Sequence, residues 1–283
     1  MGKEVHKRYA AAREVFKDAS DATGINMARV CFGDLSHFQD DTRIIQPAIA
    51  TVDLAEYAVW RETAEREADV VTGLSMGIYP AFGAAHVFNS YGETVLVVAD
   101  RAKIIHEVTK GQPGKMAAIV GVTEKNLAPI LRKAGAGFAV FRDRARSHFI
   151  ITGDHEEVDQ AKTAAKDEGA RRAEDLAILG AFHSKKQEKA VEPFAEALAN
   201  RQINEPQIAV LSNTAHYLTT PESVVAHSLE QLTQPADWDA VEKRLVIDGI
   251  RHVIEFGPDE KRGLTRQMAK NYGVKAINLT LPT

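Results

Sequence analysis

Cysteine is nearly absent: Cys31 alone in 283 residues excludes a disulfide within the chain and fits a reducing compartment. Long apolar runs are missing too. None reaches membrane-spanning length, and the opening Met1-Gly2-Lys3-Glu4 carries no hydrophobic signal core, so a cytoplasmic chain with no membrane partner is expected. Charge of one sign is not in surplus: the net charge is −4, which argues against nucleic acid as a partner. There are no internal repeats and no low-complexity linker. What is present is ordinary for a globular protein, with 45% hydrophobic and 26% charged residues. The length suits one large α/β domain, or one domain carrying a smaller one.

Three- and four-residue spacing of Val5, Tyr9, Ala12, Val15, Phe16 and Ala19 predicts one helix from Lys3 to about Ala22, closed by Gly24. After a polar loop around Asp34–Asp41, Gln46-Pro47 is expected to open a second helix, with Pro47 in the first turn. A strand at Val70-Val71 stops at Gly73-Leu74-Ser75-Met76-Gly77. Ala81, Phe82, Ala84, Ala85, Val87 and Phe88 continue as a buried helix, and another runs from about Glu93 to Thr109, ending in the turn Gly111-Gln112-Pro113-Gly114.

From Lys115 to about Ile178 the order becomes β-α-β-β-α-β: Met116–Val122, Glu124–Lys133, Gly137–Phe141, His148–Thr152, Glu156–Asp167 and Ala170–Ile178. That is the split ferredoxin-like unit, inserted into the larger domain. Residues 1–114 and 179–283 then form the large catalytic domain and 115–178 the small one. In the second large segment Ser184 and Gln187 predict a capping box. Ile208–Leu211, His252–Phe256 and Val274–Leu279 read as strands, separated by helices Ser223–Leu232, Trp238–Asp248 and Gly263–Asn271, with a turn at Gly257-Pro258. The fold class expected is α/β: a mostly parallel sheet with helices on both faces, as in α/β-hydrolases, plus the inserted subdomain.

A serine on a sharp strand-to-helix turn, flanked by glycines, exposes its hydroxyl at the end of a sheet. Ser75 is therefore the candidate nucleophile, and the Met76 N–H, at a helix N-terminus, the candidate oxyanion donor. A serine needs a base. His183, in Ala181-Phe182-His183-Ser184, is the choice because it precedes a capped helix in a loop that can reach a cleft. His6 and His227 fall inside predicted helices, His86 follows two alanines, and His252 starts a strand. Arg101 reads either as a surface ion pair or as a bidentate clamp for a substrate carboxylate.

Taken together these motifs resemble the malonyl-CoA:acyl carrier protein transacylases and the acyltransferase domains of fatty-acid and polyketide synthases. The resemblance runs through Thr42-Arg43-Ile44-Ile45-Gln46-Pro47-Ala48, the Ser75 turn, Arg101, Gly114-Lys115-Met116-Ala117-Ala118-Ile119, the His183 motif and Leu211-Ser212-Asn213-Thr214. Gln231-Leu232 with Pro235 and Trp238, and Ile254-Glu255-Phe256-Gly257-Pro258, complete it. The resemblance implies ping-pong transfer of malonyl from malonyl-CoA to the phosphopantetheine thiol of an acyl carrier protein. Ser75 would be the nucleophile and His183 its base, oriented by the backbone carbonyl of Gln231 rather than by an acid. Arg101 would neutralise the malonyl carboxylate and Gln46 line the same pocket. No bound cofactor and no metal are implied, since CoA enters as substrate.

Four departures from the family pattern stand out. The family opens with a strand and a Gly-Gln-Gly-Ser-Gln loop whose glutamine N–H supplies half the oxyanion hole, and this chain starts just after it. Leu74 replaces the usual histidine and Ile78 a usual polar residue, which is expected to make the pocket more apolar. Arg142-Asp143-Arg144-Ala145-Arg146-Ser147-His148 replaces an Asn-rich loop, read either as a self-paired solvated loop or as a contact for CoA phosphates or an acidic carrier. Two other readings stay open: a serine hydrolase that releases the same acyl-enzyme to water, and a relative whose site no longer works.

Overall fold

The computed structural model describes residues 1–33, 41–64, 67–111, 113–257 and 263–277. Most of the expected polar loop before Asp41, Gln112, Pro258 and the last residues of the expected Val274–Leu279 strand lie outside the described residues.

The first expected helix is two, α1 (Lys3–Arg8) and α2 (Ala10–Thr23), because Tyr9 is extended at φ −118 and ψ 135. The bend lets Val5 and the stripe Ala12, Val15, Phe16 and Ala19 reach one core from two axes. Gly24, at φ 71, closes α2 through its N–H to the Ser20 carbonyl. A short α3 (Met27–Phe32) follows, capped by the Asn26 side chain, which accepts from the Arg29 N–H. Pro47 does not open the next helix: α4 (Thr42–Ala64) starts five residues earlier and carries Pro47 inside it. So near the N-terminus the missing N–H removes a single ladder bond, and burying the apolar face of α4 outweighs it.

Strand β1 (Val70–Val71) leads through a 3-10 turn at Ser75–Gly77 into α5 (Ile78–Ala84) and then α6 (Tyr91–Gly111). The helix expected to run on through Phe88 ends at Ala84. His86 takes φ 57, its N–H reaching the Gly83 carbonyl and that of Val87 the Phe82 carbonyl, so a histidine fills the left-handed cap position that glycine usually holds.

Strands β2 (Lys115–Val120), β3 (Gly137–Asp143), β4 (His148–Gly153) and β5 (Arg172–Leu179), with α7 (Glu124–Ala134) and α8 (His155–Asp167), follow the β-α-β-β-α-β order. They pair antiparallel in the sequence β5-β2-β4-β3 over their own core of Ile119, Leu127, Phe149, Ile151 and Val158. After a 3-10 stretch at Lys185–Ala190 come α9 (Val191–Ala199), β6 (Ala209–Leu211), β7 (Tyr217–Leu218) and α10 (Pro221–Thr233). Then follow β8 (Ala236–Asp237), α11 (Trp238–Ile247), β9 (His252–Ile254), α12 (Leu264–Tyr272) and β10 (Lys275–Ile277).

Two pairings tie the distant segments together. Parallel β1–β6, with Val70 opposite Ala209 and Val71 opposite Val210, joins the stretches on either side of the four-stranded unit. Parallel β8 adds a fifth strand to that unit along β3, setting Ala236 opposite Val140. The α/β class is as expected. Among the described residues outside the four-stranded unit the sheet is short and comes in two pieces, parallel at β1–β6 and β9–β10 and antiparallel at β6–β7, with α2, α4, α5, α6 and α9 supplying most of the main core.

Candidate active site

The turn after β1 is a backbone contact that only glycine permits. A Cβ at Gly73 would lie 2.1 Å from the Gly77 carbonyl oxygen. Gly77 is different: its own φ is an ordinary −59 and a Cβ there would meet nothing within 4 Å, so its side faces open space. Thr72 Oγ1 donates to the Leu211 carbonyl at 2.7 Å and pins the turn to the end of β6. Ser75 is held at φ 54, a left-handed conformation that costs a non-glycine residue about 1–3 kcal/mol. That conformation turns its Oγ to 2.7 Å from Nε2 of His183, and its N–H donates to Asn213 Oδ1 at 2.8 Å. The Met76 N–H lies in the first turn, where a helix leaves its donors free.

His183 comes from the loop between β5 and the 3-10 stretch, itself at φ 56 and 4% exposed. Ser184 Oγ donates to the Ala181 carbonyl at 2.7 Å and accepts from the Lys186 N–H, which fixes the loop. The reciprocal capping box does not form: Gln187 is buried, and its Nε2 faces the Ala181 carbonyl instead of returning to Ser184. The backbone carbonyls of Gln231 and Gln234, at the C-terminal end of α10, lie near enough to favour the protonated form of the His183 imidazole, although its buried Nδ1 makes no hydrogen bond of ordinary geometry among the described residues. The last four carbonyls of a helix have no partner within it, and the dipole there favours a positive charge. Burial, reinforced by the Arg101 charge, lowers the His183 pKa to about 4 against the pull of those carbonyls. It is neutral at pH 7, the form a general base requires.

Arg101, on α6, is 4% exposed, which rules out the surface ion pair. Its Nη1 donates to Gln46 Oε1 at 2.9 Å and its guanidinium lies 5.5 Å from the centre of the Tyr79 ring. Among the described residues no carboxylate pairs with it, since the neighbouring Asp100 pairs with Arg201, and the buried Arg101 Nε has no hydrogen-bond partner. Burial presses its pKa below the ordinary guanidinium value. It remains a cation, because an arginine does not lose its proton in a protein. Among the described residues this buried cation is held by the Gln46 amide and the Tyr79 side chain, both neutral, and is incomplete without an anion.

Tyr79 and Gln231 close the wall. Gln231 Nε2 donates to the Tyr79 hydroxyl at 3.2 Å, so the side chain of Gln231 belongs to the Arg101 end while its carbonyl faces His183. Sequence reasoning assigned no role to Tyr79, Asn213 or His227. Asn213 lies just past β6, the strand paired with β1, and that pairing is the signal that brings it to Ser75. Beside it opens a cavity of about 330 Å³, lined by Phe141, Asn213, His227, Gln231 and Gln234 among others.

The departures resolve individually. Ile78 is fully buried in the main core and does not face the site, so its apolar character serves packing, while Leu74 packs into the core around β3, β8 and α11. In the arginine-rich loop Arg144 pairs with Glu124, Asp237 and Asp239, and Arg146 with Asp143. These are self-pairings rather than free charges at a mouth. Arg142 is withdrawn from water beside Glu242. Among the described residues there is no group of three or more His, Cys, Asp or Glu placed to hold a metal ion, and no helix is long and apolar enough to cross a membrane.

Residues 1–259 match the acyl transferase domain family. The chain is similar to the malonyl CoA-acyl carrier protein transacylase of Escherichia coli K12, 28% identical over 274 residues that cover 95% of this chain and 88% of that protein. It is likewise similar to the protein of that name from Bacillus subtilis 168, 27% identical over 283 residues, covering 98% and 89%. Its fold superposes on the solved malonyl CoA-acyl carrier protein transacylase of Coxiella burnetii with a TM-score of 0.92, at 25% identity, over 99% of this chain and 89% of the other.

Proposed function

Since the chain belongs to the acyl transferase domain family, we propose that it transfers a malonyl group from malonyl-CoA to the phosphopantetheine thiol of an acyl carrier protein through a seryl acyl-enzyme. The names of its relatives support the donor and the acceptor. The observation that carries the acyl preference is the buried Arg101, which has a neutral amide and an aromatic face for company and no carboxylate of its own among the described residues. A malonyl thioester brings the missing carboxylate, and a guanidinium fork receives it bidentately.

His183 Nε2 takes the Ser75 Oγ proton as Oγ attacks the thioester carbonyl. The Met76 N–H meets the developing oxyanion, and the carbonyls of Gln231 and Gln234 stabilise the imidazolium. The C–S bond breaks, and the CoA thiolate takes the proton back from His183. The second half-reaction reverses the order: His183 deprotonates the phosphopantetheine thiol, which attacks the malonyl ester, and the proton returns to Ser75. No bound cofactor enters the cycle. We place the protein in the cytoplasm, where malonyl-CoA and carrier protein would be met. Residues 1–114 and 179–283 serve as the catalytic lobe, with 115–178 as its smaller companion. The test is an intact-mass measurement after incubation with malonyl-CoA. A malonyl adduct lost in Ser75→Ala, discharged by carrier protein and only slowly by water, is the expected result. Rapid release of free malonate identifies a hydrolase instead, and no adduct at all defeats the proposal.

A further inference from the structure

We propose that His227 is a positioning residue that locks the nucleophile turn through the side-chain amide of Asn213. The inference rests on the reading of Ser75 as nucleophile. It starts from hydrogen-bonding roles that leave no choice. The Ser75 N–H can only donate, so the Asn213 side-chain atom 2.8 Å away must be its carbonyl oxygen, Oδ1. At the far end of the same residue, His227 Nε2 lies 3.3 Å from the Asn213 backbone N and 3.3 Å from Nδ2. A backbone N–H also only donates. Nε2 is therefore the acceptor, and the single proton of the neutral ring sits on Nδ1.

The amide of Asn213 is thus specified at both ends. Flipped, it would set its NH2 against the Ser75 N–H and its oxygen against the Nε2 lone pair, two repulsions in place of two hydrogen bonds. His227 is 5% exposed, and burial lowers its pKa to about 4, so it keeps its acceptor nitrogen at neutral pH. Asn213 is anchored besides by its carbonyl, which accepts from the Asp237 N–H at 2.7 Å. A rigid acceptor for the Ser75 N–H matters because φ 54 is strained and persists only where its surroundings dictate it. Without it the turn relaxes and Oγ leaves the 2.7 Å approach to His183.

The experiment has two arms. In the protein carrying 15N-labelled histidine, the His227 resonances at pH 7 should show the proton on Nδ1 and a bare, pyridine-like Nε2. A proton on Nε2 overturns the proposal without any substitution. In the malonyl-loading assay, His227→Leu should lower kcat on the order of 10- to 100-fold with KM for malonyl-CoA unchanged. His227→Gln, whose amide oxygen reaches the Nε2 position, should recover most of that loss. A folded H227L enzyme with full kcat, or H227Q as slow as H227L, defeats the positioning role. Ser75→Ala is run alongside. Loading that survives S75A defeats the nucleophile reading, whereas an inert S75A with an unimpaired H227L defeats the positioning role alone.

Discussion

His227 and Gln231 stand one turn apart on α10, and each addresses a different member of the Ser75–His183 pair. His227 reaches Ser75 by way of Asn213, and the Gln231 backbone carbonyl faces His183. One helix face thereby addresses both members of the proposed nucleophile–base pair, and its C-terminal carbonyls stand where a Ser-His-Asp triad puts its acid.

The charge on Arg101 should select the acyl group. Arg101→Ala removes two hydrogen bonds to a carboxylate worth about 1.5–3 kcal/mol each, so malonyl loading should fall on the order of 100- to 10,000-fold. Acetyl loading should change little or rise. Equal losses for both donors, measured by intact mass against time, would show that Arg101 does not read the carboxylate.

The acid limb of the loading rate should lie far below that of an ordinary histidine. His183 holds its proton only below about pH 4, so the base remains competent down to that pH and the rate falls beneath it. Arg101 is one cause of the lowering, so Arg101→Met should move the limb upward. A neutral acyl donor keeps carboxylate binding out of the measurement. A limb at pH 6.5 in the unmodified enzyme contradicts the assignment.

The two glycines of the turn should behave oppositely. Gly73→Ala drives a methyl into the Gly77 carbonyl and should cost on the order of 3 kcal/mol or abolish the fold. Gly77→Ala has an allowed φ and open space, so its thermal midpoint should hold or rise slightly. Any penalty there should appear in KM, because the methyl enters the space beside Ser75.

Glu242 gives a stability prediction with a definite sign. Burial pushes its carboxyl up to about 7, opposed by the nearby Arg142 and by the Trp238 Nε1–H it accepts, and assisted by Asp143 and Asp239. A folded pKa above the unfolded one means that its contribution is full below about pH 4.5 and is lost as pH rises through 7. Glu242→Gln, which keeps an acceptor for Trp238, should match the unmodified protein near pH 4.5. It should gain on it with rising pH and level off above 7 at an advantage on the order of 3 kcal/mol. Denaturant midpoints across pH measure this, and a difference independent of pH refutes it.

Much of the small unit was legible because its signals are local. Alternating strands and amphipathic helices between Lys115 and Leu179 follow short-range periodicity, and the observed boundaries lie within two residues of the expected ones. Gly24 likewise ended its helix as its conformational freedom predicts. Pro47 misled because a proline near a helix start forfeits only one bond, so burial of the surrounding face decided where α4 begins. Tyr9 and His86 misled because bends and caps made by non-glycine residues carry no compositional mark.

The sequence by itself marked the Ser75 turn, since the close approach of Gly73 to Gly77 lies within five residues, while the strained φ of Ser75 is held from outside by Asn213. It also picked out His183 and Arg101 as candidates by residue type and context. Only the tertiary structure decided what completes them. Ser75 and His183 are 108 residues apart, Ser75 and Asn213 138, and Gln231 and Tyr79 152, and they meet because parallel β1–β6 pairing and α10 bring the two halves of the chain together. A hydrogen bond across such a span leaves no period or local propensity in the chain, so His227 looked like any buried helical histidine until the fold set it against Asn213.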